Sequence, residues 1–156
     1  MRTSPAASQG SRKPAPQSDR SVDRVRCVLM CDQRYLLAQH NSRRRQNRSR
    51  WGLVGGRVRD RENLQECLRR ELMEELDCRV PYLIELGDWQ HRDETHRIFG
   101  CEIARSIETF DADELCAIAW FTYAEVVQLA SAGRLRTGFE LAAIIAFERQ
   151  SASGRE

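Results

Sequence analysis

The apolar positions of this chain fall into runs and stripes separated by polar, turn-forming clusters. Residues 22 to 31, VDRVRCVLMC, are rich in β-formers and close on an apolar run. DQR then reads as a turn and YLLAQH as the returning strand, so the pair predicts a hairpin. HNSRRRQNRSR follows as a polar loop, and WGLVGG as a short strand ending in glycines. From Glu62 to Leu76 the spacing becomes helical. VPYLIELGDWQHRD and ETHRIFGCEIA predict two strands about a polar tip, and LCAIAWF predicts another strand. Thr122 to Glu125 and Thr137 to Glu140 both have capping-box spacing, which opens two more helices. Gly133 marks the end of the first of them. Strands mixed with three helices imply an α/β or α+β layered domain over residues 22 to 150.

Composition narrows this picture only a little. A length of 156 residues suits one domain with a sizeable core. A net charge of +2 says little about partners. The basic residues are nearly all arginine, Lys13 being the single lysine, which composition bias explains as well as function does. Residues 1 to 21 are rich in Ser, Pro, Ala and Gln and predict a disordered tail, and residues 151 to 156 resemble them. No run approaches the roughly 18 apolar residues of a membrane span, and no apolar stretch follows Arg2 to make a secretory signal. Six scattered cysteines without a CxxC pair read as reduced, mostly buried residues of a cytoplasmic protein.

The helix at 62 to 76 carries the chemistry. At about 100° per residue, Leu64, Leu68, Leu72 and Leu76 form one apolar stripe facing the core. Glu75 falls inside that stripe, Glu71 at its margin and Glu74 further along the same side, whereas Glu66 and Asp77 lie opposite. Charges aimed at a core need compensation. Arg70 can neutralise one of them. Two readings meet the rest: a hard divalent cation, which prefers carboxylate oxygens, or an ion-pair cluster at the surface. Gly55 and Gly56, just ahead of the helix, allow a ligand close to the backbone and suit phosphate at a helix start.

These residues resemble the signature of the Nudix hydrolases, G-x5-E-x7-R-E-U-x-E-E-x-G-U, with U aliphatic. Gly56, Glu62, Arg70-Glu71-Leu72 and Glu74-Glu75 match in identity and spacing. Asp77 replaces the usual final Gly, Cys78 the last aliphatic residue, and Val54 a frequent Pro. The resemblance implies an α/β/α sandwich with a mixed β-sheet. It also implies hydrolysis of a pyrophosphate bond in a nucleoside diphosphate linked to another moiety, with Mg²⁺ or Mn²⁺. Glu71, Glu74 and Glu75 would then be metal ligands, joined by the backbone carbonyl of Gly55. Arg70 would orient a carboxylate, and Glu62 would play a secondary role at the helix start.

In such enzymes the general base varies in position, so Glu74, Glu75 and the loop residue Glu114 are all candidates. Arg57 and the arginine loop from Arg43 to Arg50 are candidates for phosphate contact, with plain solvated arginines as the alternative. Trp51 and Trp89 could stack on a base or simply pack the core. His91 and His96, flanking the hairpin tip, could touch substrate or be exposed turn histidines, and nothing singles out His40. The partner expected is a small nucleotide, with no membrane, and dimers are common in the family. Two alternatives stand beside the hydrolase. One is a nucleotide-binding sensor, whose members often lose box carboxylates that this chain keeps. The other removes a 5′ pyrophosphate from RNA, for which no aromatic platform is visible.

Overall fold

The structure, a computed structural model, describes residues 22–42 and 45–154. The predicted N-terminal tail lies outside them, as do Arg43, Arg44, Arg155 and Glu156. The first hairpin is β1 (Arg24–Cys31) and β2 (Arg34–His40), turned at Asp32 and Gln33 with φ of 52° and 63°. The arginine-rich segment is not wholly loop, since Arg45–Arg48 form a short helix, α1. Then come β3 (Val54–Arg57), α2 (Leu64–Leu76), β4 (Ile84–His91), β5 (Glu94–Glu102) and β6 (Leu115–Thr122). Two helices, α3 (Tyr123–Ser131) and α4 (Glu140–Gly154), close the chain. The expected tail from residue 151 is therefore helical as far as Gly154.

The six strands form one mixed sheet, five of them in the order β4-β5-β1-β2-β6 and the sixth, β3, paired with β1 off that path. β1 and β5 run parallel from Arg24↔His96 to Met30↔Glu102, and the other pairs are antiparallel. The hairpin is shallow: β2 pairs with β1 only at Met30↔Tyr35 and Cys31↔Arg34. Beyond that point β2 follows β6, and β3 takes the place beside β1, with Arg26 opposite Gly55.

Alternation along β1 separates two cores. Val25, Cys27, Leu29 and Cys31 face α2, while Val28 and Met30 face residues of α3 and α4. This is the α/β/α sandwich with a mixed sheet. Five cysteines are buried and free, whereas Cys116 is exposed. Among the described residues no helix is long and apolar enough to cross a membrane.

Helix ends follow the sequence closely. In α3, the Thr122 side chain accepts from the Glu125 amide and the Glu125 side chain accepts from the Thr122 amide, completing the capping box. The second box is rearranged. Glu140 accepts from the Thr137 amide and hydroxyl and from the Gly138 amide, while the Thr137 hydroxyl caps the Phe139 amide. α2 starts later than expected, because Asn63 is its N-cap, accepting from the Glu66 amide. Glu62 thus lies outside the helix. At the other end Asp77 adopts left-handed angles (φ 51°, ψ 44°), and Cys78 N–H reaches the Leu72 carbonyl at 3.2 Å. Asp77 does there what glycine usually does.

Candidate active site

The rotation of α2 is set by its leucines. Leu64, Leu68, Leu72 and Leu76 are all buried, and burying them turns the carboxylates by graded amounts. Glu75 is 4% exposed, the Glu71 side chain 13% and the Glu74 side chain 50%, in the order that the wheel predicts.

The glycine pair makes room for them. At Gly55, φ is +144° and a Cβ would sit 2.0 Å from the Val25 carbonyl oxygen. At Gly56 a Cβ would sit 2.3 Å from Glu71 Cδ, inside the space that the carboxylate fills. Only glycine lets β3 lie against β1 at this point and take a carboxylate directly on its backbone.

Arg70 organises the outer part of the cluster. Its guanidinium donates to Glu62 at 2.9 Å, to Glu71 at 3.1 Å and to Glu74 at 3.3 Å. That hydrogen bonding pulls the Glu62 carboxyl down to about 2. Glu75 has a different environment. Burial, and then the Glu71 charge beside it, push its carboxyl up to about 8, against the opposing pull of Arg26 and the Gly55 backbone. Its Oε1 is buried without a hydrogen-bond partner. A buried acceptor left in that condition costs free energy unless something else meets it.

The donor set is oxygen only, which suits a hard cation such as Mg²⁺ or Mn²⁺, and the orphaned Glu75 Oε1 beside Glu71 fits one. The expected three-carboxylate convergence is only partial. Among the described residues, no three His, Cys, Asp or Glu side chains are drawn together around one point. The cause is Arg70, which holds Glu71 and Glu74 towards itself. A cation must compete with that guanidinium for both.

Residues 21–139 match the model of the NUDIX domain. The chain belongs to the Nudix family. No curated protein sequence gave a significant match. Among solved structures, the Nudix domain of Shewanella oneidensis NrtR, in complex with ADP ribose, shares 18% identity at a TM-score of 0.66, covering 95% of this chain and 99% of its own. The E. coli ORF135 protein shares 22% identity at a TM-score of 0.62, with 85% and 91% covered. A MutT Nudix hydrolase from Burkholderia pseudomallei shares 23% identity at a TM-score of 0.56, with 65% and 84% covered. At these identities the likeness is one of fold.

The remaining Nudix candidates lie at varying distances from the box. Glu114 is exposed just before β6, in a segment fastened to α2 by the Asp111 amide, which donates to the Glu75 carbonyl at 2.8 Å. Arg57 borders an open cleft of about 910 Å³ lined by Asp23 and residues 57 to 63, and pairs with Glu94 at 2.8 Å. Arg24 binds the same carboxylate at 2.7 Å. Arg50 is half-buried beyond α1, and its amide donates to the Asn47 carbonyl. The Trp51 ring meets Phe121 edge-on, with centroids 5.0 Å apart, which is the packing alternative. Trp89 packs beside Phe139. His40 is buried, with Nε2 3.2 Å from the Leu53 carbonyl.

His96 departs from expectation. It is 2% exposed rather than a turn histidine, because β5 carries it three residues inward from the tip and under Phe139. Sequence reading also passed over Arg26 and Arg136. A signal for Arg26 existed: it shares the face of β1 that holds Val28 and Met30, so an arginine there enters an interior.

Proposed function

We propose that this Nudix chain is a divalent-metal-dependent hydrolase that cleaves the pyrophosphate bond of a nucleoside diphosphate linked to another moiety. The observation that carries this reading is Glu75. It is the most buried of the box carboxylates, its Oε1 has no partner, and Glu71 lies against the glycine backbone next to it. A protein gains nothing structurally from such an acid, whereas a cation gives it a counter-charge.

Glu71, Glu74, Glu75 and the Gly55 carbonyl would hold Mg²⁺ or Mn²⁺. When bound, the metal neutralises pyrophosphate oxygens and makes an attacking water more acidic. The chain's own residues do the rest. Glu75 or Glu74 takes the proton of that water, with Glu114 as the loop alternative. Arg70 keeps Glu71 and Glu74 oriented through its three carboxylate contacts. Arg57, which lines the open cleft and pairs with Glu94, would meet a phosphate in exchange for that carboxylate. Arg50 and Trp51 remain candidates for the far end of the substrate. Five buried free thiols support a reducing, cytoplasmic setting.

A structural neighbour in complex with ADP ribose favours a nucleoside diphosphate joined to a sugar as the first substrate to try. It also supports a second reading, in which the domain binds such a nucleotide without cleaving it. Incubation with Mg²⁺ and a panel of ADP ribose, dinucleotides, nucleoside triphosphates and 5′-triphosphorylated RNA separates these readings. Turnover that Glu75→Gln abolishes supports the hydrolase. Tight binding without turnover across the panel overturns it in favour of a sensor. Activity confined to RNA and falling steeply with salt moves the assignment to RNA.

A further inference from the structure

The turn at residues 111 to 114 is tied to α2 by hydrogen bonding and not by packing. Asp111, Ala112, Asp113 and Glu114 are all exposed. A cavity of about 200 Å³ lies between residues 109 to 111 and residues 73 to 77 at the end of α2. With no buried side chain of its own, the turn takes its position from its hydrogen bonds.

One of those bonds reaches the site described above. The last four carbonyls of a helix have no donor within it. In α2, the Met73 carbonyl is met by the Asp77 amide at 3.0 Å, and the Glu75 carbonyl by the Asp111 amide at 2.8 Å. The turn thus caps the box helix at its most buried acid. Within the turn, the Glu114 and Leu115 amides donate to the Asp111 carbonyl at 3.0 Å, and the Asp113 amide to Asp111 Oδ1 at 2.9 Å, so it moves as one piece.

Asn41 holds the other side. Pairing between β2 and β6 slips at Gln39 and His40, and such a slip re-aims the side chains beside it. Asn41 comes next. Its Nδ2 donates to the Ala112 carbonyl at 3.0 Å and to the Asp113 carbonyl at 2.9 Å, and its backbone amide donates to the Glu114 carbonyl at 3.2 Å. Three successive carbonyls are bound to one residue. The side-chain amide has two hydrogens, and both are used here. The Cys116 thiol, on β6, donates to Asn41 Oδ1 and so fixes which end of that amide faces the turn.

We propose that Asn41 is a positioning residue of the hydrolase, acting through the 111–114 turn on the backbone of Glu75 and setting the place of Glu114 on the same turn. Asn41 touches neither substrate nor metal. Without its side-chain donors the turn keeps the backbone bond from Asn41 but loses the two that fix its tip. The Asp111 amide then leaves the Glu75 carbonyl more often, and the last turn of α2 loosens under the buried acid. The assignment rests on the hydrolase reading above, because Glu75 is the central acid of that reading.

Amide hydrogen exchange of the intact, metal-free chain tests it without turnover. The Asp111 amide is expected to exchange at least about tenfold faster in Asn41→Ala, while the Cys67 amide, in the first turn of α2, keeps its rate. A role in overall stability alone would speed both. With Mg²⁺ and whichever nucleotide of the panel above is hydrolysed, Asn41→Ala should lower kcat about tenfold and leave KM within about twofold, the pattern of a misplaced group. Asn41→Asp keeps the size but sets lone pairs against the turn carbonyls, and should lose at least as much. Cys116→Ala should show part of the faster exchange, and Cys116→Ser, whose hydroxyl donates as the thiol does, should restore the slow rate. Should Asn41→Ala not fold, the two Cys116 variants carry the comparison.

Unchanged Asp111 exchange in Asn41→Ala overturns the proposal, as does equal speeding at Asp111 and Cys67. A kcat that stays at the wild-type value despite faster exchange overturns it too. Faster Asp111 exchange with no hydrolysis anywhere on the panel overturns the hydrolase and leaves the fastening of the turn standing. Hydrolysis with unchanged exchange does the reverse.

Discussion

Glu75 and Glu140 are both glutamates buried at helices on opposite sides of the sheet, and the difference between them separates structure from function. Glu140 is wholly buried and accepts three hydrogen bonds at 2.7–2.9 Å from Thr137 and Gly138, shaping the entry to α4. Glu75 is buried almost as deeply, with one oxygen unmet and its carboxyl raised to about 8, first by burial and then by Glu71. Burial by itself therefore does not mark a catalytic acid. The state of its oxygens does: an acid with its donors supplied is part of the scaffold, and one without them awaits a ligand.

Substitution should separate the two sharply. Glu75→Gln is expected to lower turnover about 10³-fold, roughly 4 kcal/mol in the barrier, with urea unfolding unchanged or shifted to higher stability. Gly56→Ala presses on Glu71 from 2.3 Å and should cost about 10²-fold in kcat by misplacing the carboxylate. Glu140→Gln should reverse the pattern. An amide sets donor against donor at Thr137 and Gly138 and costs about 2 kcal/mol of stability, measured by urea unfolding.

The pH response sharpens the contrast further. Folded Glu75 titrates near 8, above its ordinary 4.5, so the folded state holds the extra proton between those values. Stability of the metal-free protein should fall as pH rises through that window, and Glu75→Gln should remove the slope. Glu62 works in the opposite sense. Arg70 holds it at about 2, so its contribution is complete above 4.5 and is lost as pH falls towards 2. Thermal melts in EDTA across pH 2 to 9 read both. The smallest effect belongs to Asp77→Gly, which relieves a left-handed residue and should add about 0.5 kcal/mol.

The sequence made the box helix legible because periodicity and burial obey the same geometry. The leucine stripe set the rotation, and the exposures of Glu75, Glu71 and Glu74 followed from it. Capping residues likewise located α3. The less legible features depended on distant partners. That β2 leaves β1 after two residue pairs, so that β3 can lie beside it, follows from the β2–β6 pairing and not from local pattern. His96 looked like a turn residue because the covering ring comes from Phe139, 43 positions away in the chain. Arg70's grip on Glu71 and Glu74 was foreseeable in kind, yet its strength against a cation depends on side-chain positions that spacing does not give.

The central claim is that Glu71 and Glu75 meet a divalent cation beneath the Gly55–Gly56 backbone. Crystals soaked in Mn²⁺ and measured at the manganese absorption edge test it most directly. The account predicts an anomalous peak bonded to oxygens of both glutamates, with Glu71 drawn off Arg70, and no such peak in Glu75→Gln crystals. A soaked crystal with no peak there, and with Glu71 still on Arg70, would contradict it.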